Sequence, residues 1–135
     1  MTVADESILF SIKKMLGLEE DYTPFDTDII IGINTALMTL TQMGVGPKEG
    51  FSISDAGATW SEFLTNDVKL FAAKTYVYLQ VRMGFDPPSN SFVMDAMKKQ
   101  SEEILWRLNV QAESVEEFDF MQDDKGRDHK VVGKR

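Results

Sequence analysis

The chain predicts an all-α fold: a small bundle of about four to five helices, with a long loop between helices two and three and an extended C-terminal arm. Three observations carry this expectation. Residues 26–44 repeat apolar side chains at helical spacing, and residues 67–83 are apolar almost all round. Residues 76–112 then lead from the end of that apolar helix, through a Pro87-Pro88 corner, into an amphipathic stretch that closes on Trp106-Arg107-Leu108-Asn109.

Each element has local causes. A first helix is expected over 5–16: Asp5 offers an oxygen to the free first-turn amides, Ile8, Leu9, Ile12 and Leu16 form a stripe, and Gly17 ends it. Residues 19–24 are a connector. The second helix opens at Asp26 or Thr27 and ends at Gly44. Ile30, Ile33, Leu37 and Leu40 recur along it, with Ile29, Ala36 and Met43 widening the face. Ile29-Ile30-Ile31 alone would suit a strand, but the pattern runs too long and too periodically.

Residues 44–50, with three glycines and Pro47, form a turn-rich loop, and 51–53 a short extended piece. Thr59 and Glu62 have the spacing of a capping box and open a helical turn through Leu64. Asn66 or Asp67 caps the third main helix, which runs through Met83 with Gly84 as its stop. A helix this apolar is central, covered by its own domain on one side and by a neighbouring subunit on the other.

Pro87-Pro88 forbids helix continuation. Ser89, Asn90 or Ser91 caps the fourth main helix, which turns Val93, Met97, Ile104 and Leu108 inward, supported by Phe92, Ala96 and Leu105. Its outer face carries two i,i+4 pairs, Asp95 with Lys99 and Glu103 with Arg107, each contributing about a few tenths of a kcal/mol.

From Glu113 the composition changes. Residues 113–124 are rich in carboxylates, whereas Lys125, Arg127, Lys130, Lys134 and Arg135 make the end basic. Residues 1–112 are therefore read as the helical domain and 113–135 as a charged C-terminal tail or arm. Phe118, Phe120 and Met121 are odd choices for a purely solvated tail, and favour an arm that orders on a partner. Asp124-Lys125-Gly126 also allows a hairpin between 118–121 and 129–132.

Composition excludes several functions. At 135 residues the chain is long enough for one cored domain. With no cysteine, it has no disulfide framework, thiolate metal site or cysteine nucleophile. The N-terminus has none of the features of a signal peptide, and the apolar runs fall well short of the ~20 residues of a membrane span. A net charge of −8 opposes sequence-independent nucleic-acid binding, which depends on phosphate neutralisation. It suits a surface past which DNA slides without sticking.

Chemistry is hard to find. His129, the only histidine, lies in the charged tail with no activated nucleophile near it in sequence. An EF-hand centred on Gly126 fails, because Met121 and Lys125 would occupy ligand positions. Gly44, Gly46 and Gly50 miss the dinucleotide and P-loop spacings. No catalytic, cofactor-binding or metal-binding residue is expected. The candidate functional residues are interface residues: Tyr76, Tyr78, Arg82, Trp106, Arg107, Phe118, Phe120 and Met121, since aromatic residues and arginine are favoured at subunit contacts.

The combination resembles the head–tail connector (adaptor, head-completion) proteins of long-tailed bacteriophages and prophages. The resemblance covers residues 26–112. It rests on Asp28-Ile29-Ile30 with Ala36 and Leu37, on Trp60-Ser61-Glu62-Phe63-Leu64, and on the run from Lys74 to Arg82. Most specific is Phe85-Asp86-Pro87-Pro88 leading to Ser91-Phe92-Val93 and on to Glu103-Ile104-Leu105-Trp106-Arg107-Leu108-Asn109.

The resemblance implies a structural virion protein without enzymatic activity or cofactor, made in the host bacterial cytoplasm and placed in the neck of the particle. About twelve copies would form a ring between the portal protein and the stopper or tail-completion protein. Double-stranded DNA would pass through its lumen without specific binding, and no membrane is involved. Smaller members of that family lack such a charged tail; on their own composition, residues 113–135 are expected to latch onto a neighbouring neck protein. Two other classes stay open at this point: a helical regulatory or nucleic-acid-binding protein, which needs a basic recognition helix, and a small hydrolase, which needs convergent acids in a concave site.

Overall fold

The computed structural model describes the backbone of residues 6–123 and the side chains of residues 6–110. Five helices form there: α1 (Ile8–Met15), α2 (Asp26–Gln42), the single turn α3 (Trp60–Phe63), α4 (Asp67–Phe85) and α5 (Ser91–Asp123). The all-α bundle is as expected, with the long loop between α2 and α4 interrupted only by α3.

Helix ends follow local chemistry, with corrections. Ser7 caps α1, its Oγ accepting from Phe10 N at 3.2 Å, where Asp5 had been expected; Asp5 lies outside the described residues. Gly17, at φ 86°, ends the helix as anticipated, in a conformation that side chains resist. Asn66 caps α4, its Oδ1 accepting from Lys69 N at 3.0 Å.

Gly84 does not stop α4, which continues to Phe85. Glycine inside a helix costs only about 1 kcal/mol, whereas the residue before a proline is pushed out of the helical region. Asp86, before Pro87, accordingly sits at φ −142° and ψ 65°, and there the helix ends. Asn90 then caps α5, its Oδ1 accepting from Phe92 N at 2.8 Å and Val93 N at 3.3 Å.

No glycine or proline interrupts 91–123, and α5 stays helical through Asp123. The change of composition at 113 is thus not a change of backbone structure. Residues 118–121 lie within the helix, which excludes the hairpin; 129–132 lie outside the described residues.

α2 and α4 are antiparallel and form the centre of the bundle. The Phe25 and Phe85 rings meet edge-on at 5.2 Å between centroids, and Gly32 lies so close to Val81 that a Cβ there would stand 3.4 Å from Val81 Cγ2. Ile29, Ile33, Ala36, Leu37 and Leu40 meet Leu70, Ala73, Val77 and Val81 in one apolar core with Ile8, Leu9 and Ile12 of α1.

Against the other side of α4 lies α5, held by a Gln80–Ser101 side-chain hydrogen bond and by buried Leu108. Met97 and Ile104 are half-buried on this inner face. Phe92, Val93 and Ala96, however, are exposed rather than inward, Phe92 by 84%. The Gln80–Ser101 register puts residue 92 level with the corner itself, past the last turn of α4, where nothing remains to cover it.

The loop before α3 is pinned by side chains that no periodicity announces. Asn34 works as a backbone surrogate, donating from Nδ2 to Ile53 O at 2.9 Å and accepting from Ile53 N at 2.8 Å. This satisfies both peptide groups of a buried residue without a sheet partner. Residues 51–53 form no ladder; an isolated antiparallel bridge instead joins Ser7 and Thr59. Gly46, at φ 97°, packs against Phe63 so closely that a Cβ would stand 2.5 Å from the ring.

Two buried polar arrangements lock the N-terminal half. Trp60 is fully buried and donates from Nε1 to Ser11 Oγ at 2.8 Å, and Ser11 donates to Ile8 O at 3.0 Å. The Thr59–Glu62 capping box positions it, Thr59 N donating to Glu62 Oε1 at 3.0 Å. Lys13, also fully buried, donates to Glu20 O at 3.0 Å and Tyr22 O at 2.6 Å, and pairs with Asp26 Oδ1 at 2.8 Å.

Candidate assembly surface

Burial inside the bundle decides which apolar residues remain for a partner. On α4 burial takes Leu70, Ala73, Tyr76, Val77, Leu79 and Val81, leaving Val68, Phe71, Thr75, Tyr78 and Arg82 along one arc of the helix. Val68 is 76% exposed and Phe71 67%. Tyr78 and Arg82 are half-buried and bonded to each other, Arg82 Nη1 donating to Tyr78 Oη at 3.2 Å. Arg82 also donates from Nε to the Asp86 carbonyl at 2.6 Å, closing the C-terminal end of α4 where the helix dipole favours a cation.

A second stripe lies on α5. With Ser101 and Leu108 turned inward, Phe92, Lys99, Glu103, Trp106 and Val110 share the opposite arc. Trp106 is 63% exposed. Arg107 Nη2 meets Glu103 Oε2 at 2.8 Å, an exposed pair contributing about a few tenths of a kcal/mol; of the two i,i+4 pairs expected on this face, it is the one that forms. Scattered exposed apolar residues are ordinary. Rows of them on two helices, each beside an arginine held in place, have the composition of an interface.

The structure sorts the expected interface residues. Tyr78, Arg82, Trp106 and Arg107 reach the surface. Tyr76 is 5% exposed and belongs to the core, so it has no area to offer a neighbour. Phe118, Phe120 and Met121 lie on the α5 backbone, and their side chains are outside the described residues. Sequence reasoning missed Val68 and Phe71 as surface residues, because in a helix apolar all round nothing local says which side stays open.

Burial pushes the Tyr76 phenol above its usual value of 10.0, offset in part by a hydrogen bond with Thr39. A phenol whose folded pKa is raised contributes its stability below the unfolded value and loses it as pH climbs past 10. Tyr76→Phe should therefore cost about 1 kcal/mol near neutrality, for the lost hydrogen bond. It should also flatten the alkaline fall in stability. Urea midpoints of both proteins at about pH 9 and about pH 11 check this: a parallel fall in the two would refute the assignment.

Between α4 and α5, Gln80, Met83, Gly84, Met94, Lys98 and Glu102 line an open groove of about 380 Å³. It holds one carboxylate and one amine, four residues apart on α5, and no convergent pair of acids. Among the described residues, no group of three or more His, Asp or Glu side chains is placed to hold a metal ion, and no helix is long and apolar enough to cross a membrane.

Two unlike apolar stripes thus stand exposed on one chain. A family model described as a phage connector protein matches residues 8–115, from the first residue of α1 into α5. No curated protein and no solved structure gives a match.

Proposed function

The chain belongs to the phage connector protein family, and from that premise we propose that it is the repeating subunit of a ring adaptor in the neck of the virion. The ring, of about twelve copies, joins the portal vertex of the head to the stopper or tail-completion protein and extends the DNA channel. The observation that carries this is the pair of unlike exposed stripes, on α4 and on α5. A contact between different patches of identical chains runs head to tail, and it closes into a ring when the rotation per step allows.

Charge supports the passive role towards DNA. At −8 per chain, a ring has a strongly negative collar. Double-stranded DNA then moves through without the counterion release that drives tight binding. Residues 113–135 act as the arm of the subunit, its helical start carried by α5 and its basic remainder engaging a neighbouring neck protein.

Negative-stain electron microscopy of the concentrated protein, alone and with portal protein, tests the proposal. Closed rings with a central hole are expected in at least one of the two samples. A protein that stays monomeric in both would overturn the ring. In a filter-retention assay at low salt the protein should leave double-stranded DNA free; salt-sensitive retention would favour a nucleic-acid-binding role instead.

A further inference from the structure

α5 outruns its partner. It has 33 residues against 19 in α4, and both helices spring from the Pro87-Pro88 corner. The Gln80–Ser101 hydrogen bond sets the register of this antiparallel pair. Counting outward in that register brings residue 114 level with Asp67, where α4 begins. The rest of α5, roughly ten residues and about 15 Å, projects past the bundle.

A helix of this length without a packing partner is marginal in water, because helices in proteins draw most of their stability from a buried face. The overhang has a sequence suited to burial: Val115, Phe118 and Met121 recur every three residues, among Glu113, Glu116, Glu117, Asp119 and Asp123. Among the described residues the bundle ends before it. With no glycine or proline in 91–123, the helix has no hinge by which to fold back.

Cover is available on another copy. Val68 and Phe71 stand open at the N-terminal end of α4, where Lys69 offsets Asp67 and the positive end of the helix dipole faces a segment rich in carboxylates. We infer that residues 114–123 of one copy dock on the α4 stripe of a second copy, against Val68 and Phe71 and towards Tyr78. The inference rests on the self-assembly part of the function proposed above and names the elements that meet. Because overhang and stripe are different surfaces, each copy gives one and receives one, so the contact propagates head to tail.

The absence of cysteine makes the test clean. Full-length Phe71→Cys protein is mixed with differently tagged full-length Phe118→Cys protein and oxidised mildly. A mixed disulfide should form at least about tenfold faster than with Met38→Cys, a 53% exposed position on α2, in place of Phe71→Cys. Equal rates for the two pairs would overturn the docking. A Val68→Asp variant supplies a second readout: it should keep the parental melting temperature, since residue 68 is 76% exposed, and lose self-association. Rings that persist unchanged in this variant would sink the docking while leaving the ring adaptor itself intact.

Discussion

Trp60→Ala should destabilise the protein by about 4 kcal/mol, a large part of the 5–15 kcal/mol available to a domain of this size. Trp60 is fully buried and the largest side chain in the core. Its removal leaves a cavity between α1 and α3 that a pinned surrounding cannot collapse into: Ser7 is bridged to Thr59, and Ile8 N donates to Ala58 O at 2.9 Å. It also strips Ser11 Oγ of its indole donor. Trp60→Phe separates the two effects, keeping most of the bulk and losing only the hydrogen bond, for a cost of about 1–2 kcal/mol. Urea unfolding followed by far-ultraviolet circular dichroism is the right measurement, because the remaining tryptophan, Trp106, is 63% exposed and its fluorescence would report folding poorly. An alanine variant within 1 kcal/mol of the parent would mean that this corner relaxes freely.

Lys13→Met should cost about 3 kcal/mol, the low end for breaking a buried ion pair from one side. The low end applies because the Asp26 side chain keeps 26% of its exposure and stays partly solvated. The methionine fills the space, so packing is nearly kept and the loss is polar. The Glu20 and Tyr22 carbonyls lose their donor and Asp26 its counter-charge. Adding Asp26→Leu should recover about half of the loss, since an apolar pair replaces an ionic one at little net cost, while the two carbonyls stay unsatisfied. Recovery of this size marks coupling between neighbours. A double variant whose loss equals the sum of the single losses would show that Lys13 acts on the connector alone and not through Asp26.

Both residues show where sequence reasoning stops. Trp60 was placed correctly at the head of a capped turn, by the Thr59 and Glu62 spacing, but its indole partner Ser11 is 49 residues away. Lys13 carried a faint signal: it stands four residues after Leu9 and beside Ile12, at the edge of a stripe that becomes fully buried. Nothing local shows that the connector folds over a lysine there. Asn34 had no signal at all, since its pairing with Ile53 depends on how a loop crosses α2.

The candidate surface divides the same way. Tyr78, Arg82, Trp106 and Arg107 were chosen as interface candidates by residue type, and the structure leaves them at the surface. Tyr76 and Val68 differ by eight positions on one apolar helix, yet one is buried and the other open. Helix α4 is apolar on every side, so its own pattern cannot say which arc receives α2, which receives α5 and which stays bare.

The sequence by itself determined the number and kind of the elements, most of their caps, the proline corner between α4 and α5 and membership of the connector family. These rest on interactions within a few residues: helical spacing, an oxygen three positions before an amide, a ring that removes a donor. Only the tertiary structure decided which faces are spent inside the bundle, that Lys13 is buried and that the loop after α2 is pinned by Asn34. Those outcomes depend on contacts between residues far apart in the chain, and on which of several equally apolar arcs another helix happens to cover.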